Sequence, residues 1–244
     1  MALDFKRITQ TFESRRSAEE VGELEETYAA FKTRVVPHCS FPERGEWGDP
    51  VRIRAYAIMY RQILLHRAIS MFEGSLNAAV EENAYVLALS VRGAFETTAA
   101  LGYLHNRLAS LAEGNLDAEK IDEDIMSQFL GTRDSTLSEE MPPKQILSML
   151  EYADVSVSRS VLGGTAREHQ ILRESYDFLC EFAHPNFHSN KVAYDLDKAN
   201  KRLILRHGKE MAPEVFSIVS YLLLASPLHV KLHDAIDEVL PDAL

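Results

Sequence analysis

The sequence predicts an all-α protein, a helical bundle interrupted once by a β-hairpin near residues 192–205. Three observations lead there. Apolar residues recur at helical spacing through most of the 244-residue chain. Proline and glycine, which punctuate helices, gather in a few short places. One segment alone, VAYDLDKANKRLILR, alternates apolar and polar side chains with period two on both sides of a polar turn. With 46% hydrophobic and 26% charged residues, the composition is that of a globular chain able to bury a sizeable core.

Each element follows from its local pattern. Residues 4–36 place Phe5, Ile8, Phe12, Val21, Leu24, Tyr28, Phe31 and Val35 at helical intervals, giving one or two amphipathic helices. PHCSFPERGEWGDP, residues 37–50, has three prolines and two glycines and is a loop. Asp49-Pro50 then supplies an N-cap and a proline at N1, opening a helix over Val51–Phe72. Ala84–Ala112 is apolar on nearly all sides and belongs at the centre of the bundle. Shorter helices are predicted over 116–131 and over 142–154, the latter opened by Pro142-Pro143. SRSVLGGT, residues 158–165, is a loop, in which Gly163-Gly164-Thr165 forms a turn and N-cap rather than a phosphate cradle. Ala166–His184 is a helix. Val192, Tyr194 and Leu196 face Leu203 and Leu205 across the turn Asp197–Asn200 in the hairpin. Ala212–Val239 closes the chain as a helix kinked near Pro227. Residues 1–244 read as a single helical domain, with 1–36 as a potential N-terminal helical extension.

Charge and cysteine content narrow the function. A formal charge of −11 excludes coating nucleic acid or anionic membrane through bulk charge. Cys39 and Cys180 form neither a disulfide framework nor a CxxC pair, which fits a reducing cytoplasmic setting, and Cys180 reads as a small buried hydrophobe. The N-terminus lacks the apolar region of a secretory signal. VFSIVSYLLLASPLHVKL, residues 215–232, is broken by serines, Pro227, His229 and Lys231, so a core helix is expected and no membrane partner. The charge is uneven. Residues 113–140 hold nine acids against Lys120 and Arg133, and read as solvated surface. Residues 191–209 hold Lys191, Lys198, Lys201, Arg202, Arg206 and Lys209 against Asp195 and Asp197. This basic hairpin is either solvated surface or the contact for RNA or another phosphate-bearing partner.

Two constellations carry chemistry. Arg92 and Glu96 lie four apart on an otherwise buried helix, with Tyr103 further along the same face. Buried charges need partners, so the pair either fixes helix register or presents Arg92 to an anion with Glu96 holding it. The second is YDFLCEFAHPNFHSN, in which Asp177, Glu181, His184 and His188 share one helical face. Pro185 disfavours helical geometry at His184 and places it at a helix C-terminus, where the dipole favours a protonated ring. Glu181, one turn back, can orient that ring for acid–base work or phosphate binding. Glu181-x-x-His184 is also the ligand pair of di-iron bundles, but the chain has no second such pair. Asp177, His184 and His188 form a mononuclear alternative without a distinctive spacing. No cofactor is expected. Trp47, in the proline-rich loop, is placed to staple that loop to the bundle or to rim a pocket.

SVRGAFETTAALGYL followed some 70 residues later by YDFLCEFAHPN resembles a set of uncharacterised bacterial all-helical proteins. These carry an Arg-x-x-x-Glu helix and a Tyr-Asp-x-Leu-x-Glu-x-x-His-Pro-Asn segment, and are distantly similar to the HEPN superfamily. The pattern matches Arg92, Glu96, Tyr176, Asp177, Glu181, His184, Pro185 and Asn186. The resemblance implies a helical bundle, a homodimer, and a stress or defence setting that includes RNA-cleaving proteins. The HEPN ribonuclease motif places an arginine four to six residues before its histidine, and here those positions hold Cys180, Leu179 and Phe178. Only Arg92 could fill that place from another helix.

Three functions follow as expectations. The first is an interaction or regulatory protein. The second is a metal-independent ribonuclease with His184 as acid–base group, Arg92 as phosphate clamp and Glu181 as orienter, contacting RNA through the 191–209 hairpin. The third is a metal-dependent hydrolase using Asp177, His184 and His188. The homodimer rests on the resemblance and on the apolar 215–225 stretch.

Overall fold

The chain forms α1 (Phe5–Phe12), α2 (Ala18–Arg34), α3 (Pro50–Val80), α4 (Ala84–Ala112), α5 (Ala118–Leu130), α6 (Ile146–Ser160), α7 (Ile171–Ala183) and α8 (Phe187–Val192). The hairpin β1 (Tyr194–Asp197) and β2 (Arg202–Leu205) follows, then α9 (Pro213–Phe216) and α10 (Val219–Val239). The computed structural model describes residues 3–12, 15, 18–41, 45–132, 134, 142–164, 170–206 and 211–241. The expected helical bundle with one hairpin is the architecture observed.

Helix α4 occupies the centre and touches α3, α5, α6, α7 and α10. Its composition dictates this: Leu87, Val91, Phe95, Ala99, Leu101, Leu104 and Leu108 are fully buried and together cover more than one face. At Gly102 a Cβ would lie 2.6 Å from the Ala153 Cβ, so glycine is what lets α6 approach so closely. Ile8, Phe12, Val21, Leu24 and Phe31 of α1 and α2 join the same buried cluster.

The structure moves several boundaries. Helix α3 runs past the expected end at Phe72 to Val80, with Ser75, Leu76, Ala78 and Ala79 still buried. Helix α6 begins at Ile146, not Pro142, since Pro143 disfavours helical geometry at the residue before it and Pro142–Gln145 stay non-helical. Helix α7 starts at Ile171 with a cap supplied from α6: Leu172 N–H donates to Asp154 Oδ1 at 2.8 Å and Arg173 N–H to Oδ2 at 3.1 Å. Residues 165–169, in the expected loop and helix start, lie outside the described residues. The C-terminal helical stretch is split at Ser217 and Ile218, and Pro227 sits inside α10.

The acidic 113–140 stretch is not simply solvated. Asp122 is fully buried and accepts from Arg52 Nε at 2.6 Å, while Asp124, 2% exposed, accepts from Arg107 at 2.8 Å and Lys144 at 2.7 Å. These pairs bind α5 to the bundle. Arg52 also lies 4.6 Å over the Trp47 ring, so Trp47 staples its loop as expected. Arg133, Glu139 and Glu140 lie outside the described residues.

Candidate functional site

The motif residues divide between ties that hold α7 and α8 in place and one histidine whose ring ties nothing. On α4, Arg92 Nη2 lies 3.1 Å from Glu96 Oε1 and donates to the Tyr176 hydroxyl of α7 at 2.8 Å. Glu96 also stands 3.9 Å from Arg67. Burial pushes the Tyr176 phenol above its ordinary range, although the Arg92 hydrogen bond pulls against it. Arg92 thus serves as the lock between α4 and α7. Tyr103 turns away from this pair and packs edge-on against Tyr152 at 5.3 Å.

The His-Pro-Asn segment is the turn that redirects the chain from α7 into α8. His184 leaves the helix with extended backbone (φ −103°, ψ 148°), which Pro185 demands of the residue before it. Asn186 N–H donates to the His184 carbonyl at 2.8 Å, closing a three-residue turn around Pro185. The Asn186 side chain then works in both directions. Its Oδ1 caps α8 by accepting from Ser189 N–H at 3.2 Å, and its Nδ2 donates to Glu181 Oε2 at 2.9 Å. Glu181 is therefore bonded to Asn186 and not to the His184 ring. Asp177 is bonded to Arg173 at 2.8 Å. His184 is exposed, and its ring has no hydrogen bond among the described residues.

Arg92 and His184 share no hydrogen bond among the described residues: the partners of Arg92 are Glu96 and Tyr176. Nor do Asp177, His184 and His188 assemble as a metal site: among the described residues no group of three or more His, Cys, Asp or Glu side chains could hold an ion.

What the turn does build is a lobe of α8 and the hairpin. Tyr85 Oη donates to the Ser189 carbonyl at 3.1 Å and ties α8 to α4. In the hairpin, Tyr194 pairs with Leu205, Asp195 with Ile204, Leu196 with Leu203, and Asp197 with Arg202. Alternation puts Asp195, Asp197, Arg202, Ile204 and Arg206 on one face and Tyr194, Leu196, Leu203 and Leu205 on the other. The polar face closes on itself. Arg202 Nε donates to Asp197 at 2.9 Å, and Arg206 donates twice to Asp195 Oδ1. Asn200 and then Arg202 hold the Asp197 carboxyl below its ordinary range. The apolar face stays open, with Leu196 at 57%, Leu203 at 56% and Leu205 at 69% exposure, beside Phe187 at 66%. The two hairpin arginines predicted for binding are thus neutralised within the ribbon. Lys191, Lys198 and Lys201 carry its positive charge and make no ion pair among the described residues. Lys209 lies outside the described residues. Between α7, α8, the hairpin and α9 lies a recess of about 400 Å³, walled by Phe182, Phe187, His188 and Tyr194 with Lys191, Asp195 and Arg206 at its polar edge.

A second polar cluster escaped the sequence reading. His229 and His233, four apart on α10, are 1% and 4% exposed. Thr98 Oγ1 lies 3.4 Å from His229 Nδ1, and Gln62 Nε2 lies 3.5 Å from His233 Nε2. Arg61 Nη1 donates to the His233 carbonyl at 3.2 Å and to Asp237 at 2.7 Å. Gln62 also donates to the Arg34 carbonyl at the end of α2 at 3.1 Å. Burial pushes His229 down to about 3 and His233 down to about 4. Two histidines at helical spacing, the first inside an apolar run, were the available signal. Within the 215–225 stretch Val215, Phe216, Ile218, Val219, Leu222 and Ala225 are buried in the core, while Tyr221, Leu223 and Leu224 are half-buried. Among the described residues no helix is long and apolar enough to cross a membrane.

The chain matches no protein-family model, no curated protein and no solved structure.

Proposed function

We propose that this protein is a HEPN-like helical binding protein, working through interaction or regulation, and that the lobe of α8 and the hairpin is its working surface. The observation that carries this reading is the division of the motif. Arg92, Glu96, Tyr176, Glu181 and Asn186 are engaged with one another in positioning α7 and α8. The lobe they position displays large apolar side chains and a recess with Lys191 at its edge, and carries Lys198 and Lys201 at the hairpin turn. The partner that suits it is a phosphate-bearing strand such as RNA, with the lysines meeting phosphate and the aromatic rings meeting bases. The test is fluorescence anisotropy with a labelled single-stranded RNA across a salt series. Binding should weaken with salt, with a log–log slope of roughly −2 for three lysine–phosphate contacts, and Lys198→Glu with Lys201→Glu should abolish most of it. Salt-independent binding, or a double variant that binds like wild type, would refute the proposal.

One observation favours a second reading. The His184 ring makes no hydrogen bond among the described residues, and an exposed imidazole at a helix end suits acid–base chemistry. A metal-independent ribonuclease would cleave RNA in the presence of chelator, and His184→Ala would not. The binding proposal expects neither protein to cleave.

A further inference from the structure

We infer that the recess beside Phe187 is a nucleotide slot, taking one base against the aromatic wall with its phosphate on Lys191; this rests on the phosphate-bearing partner proposed above. Rings run in contact from the core to the surface. Tyr221 stacks on Phe178 at 5.0 Å, Phe178 meets Phe182 at 5.2 Å, Phe182 meets His188 at 6.0 Å, and His188 meets Phe187 at 5.5 Å. The ladder ends in solvent at Phe187, which is 66% exposed although a phenyl ring has no polar group to present there. A base stacked on that exposed ring would give it the aromatic contact it lacks on its solvent side, a sequence-tolerant mode of binding.

Size and charge agree. A recess of about 400 Å³ falls within the range of small-molecule sites, roughly 300–1,000 Å³. Val192, Ala212 and Val215 give it an apolar lining suited to a ring. Lys191, one helical turn after Phe187 on α8, stands at the same recess without an ion pair among the described residues and is placed to meet phosphate. Asp195 adds selectivity. Both Arg206 hydrogen bonds go to its Oδ1, leaving Oδ2 without a hydrogen bond among the described residues. A carboxylate oxygen accepts from the exocyclic amino groups of adenine, cytosine and guanine, whereas uracil has no exocyclic amino group and offers only its ring N3–H between two carbonyl oxygens. The shared chemistry is a base with its phosphate, which a free mononucleotide and an RNA strand both supply.

The experiment is isothermal titration of the full chain with 5′-AMP, 5′-UMP, inorganic phosphate and a short oligoadenylate RNA. We expect 5′-AMP to bind and to displace the RNA, 5′-UMP to bind more weakly, and inorganic phosphate not to compete at equal concentration. Phe187→Ala should weaken 5′-AMP on the order of tenfold, and Phe187→Tyr should restore it; the exposed position lets both variants fold. RNA binding that needs Phe187 identifies a strand base as the occupant. Binding of 5′-AMP without RNA binding identifies a free nucleotide and sinks the strand reading while the slot stands. RNA binding indifferent to Phe187→Ala and to 5′-AMP overturns the slot and leaves the strand reading. Silence towards every ligand overturns both. A dimer in light scattering that Phe187→Ala dissolves assigns the recess to a second copy and overturns the slot.

Discussion

His184 and His229 show how little a histidine's neighbours in sequence say about its physical state. His184 stands in a polar cluster, Asp177, Glu181 and His188, at the end of α7, and that cluster suggested a site. In three dimensions it is exposed, while its carboxylate neighbours are bonded elsewhere. His229 stands in an apolar run that suggested only core, and His233 follows one turn later. They are buried against α3 and α4, with His229 Nε2 lacking a hydrogen bond among the described residues and His233 Nδ1 3.5 Å from Asp234 Oδ1. The exposed region is free to meet a ligand and carries little of the stability. The buried region holds two groups whose protonation the folded state resists. Burial, not clustering, separates the two.

Acid should expose this difference most strongly. The folded protein keeps His233 and His229 neutral to about pH 4 and about pH 3. The unfolded chain protonates both below about pH 6.5. The unfolded state therefore binds more protons in that window, and stability falls as pH drops through it. From about pH 7 to about pH 5 the pair should withdraw roughly 4 kcal/mol. Asp154 opposes it. Burial raises its carboxyl to about 6, so its folded state gains a proton in the same window and returns about 1 kcal/mol. Urea unfolding across pH measures the sum, and His229→Leu should flatten the acid limb. A limb of unchanged steepness in that variant would mean that His229 is not held neutral.

Smaller effects sharpen the picture of the motif. Tyr176→Phe removes the hydroxyl that accepts from Arg92 and should cost about 1 kcal/mol. Faster amide exchange in α7 should accompany it. A neutral result would detach Arg92 from the docking of α7. His184→Ala should change stability by less than about 0.5 kcal/mol, as is usual at exposed positions without partners. A loss several times larger would mean that the ring packs into the α7–α8 turn and that the two histidine regions differ less than their burial suggests.

Much of the helical framework was legible because hydrophobic periodicity is a local property. Ala84–Ala112 has the predicted bounds, and its all-round apolarity placed it at the centre. Asp49 caps α3 as expected, its side chain accepting from Val51 N–H at 2.8 Å. The hairpin was readable from period two, but α8 was not, since six residues carry too little periodicity to separate a helix from a turn. The α7 cap was hidden for another reason: its acceptor is Asp154, eighteen residues away on a different helix.

The sequence by itself determined the helical class, the hairpin, the central helix and the end of α7 at His184, because backbone preference and apolar spacing act over a turn or two. Only the tertiary structure decided which charges were already spent. Arg92 is bonded to Tyr176, Glu181 to Asn186, Arg206 to Asp195, and Asp122 to Arg52, and of these the first and last join residues far apart in the chain. Hydrogen bonds and desolvation depend on distances in space. A side chain's availability for chemistry is therefore settled when helices pack, after the local pattern has done its part.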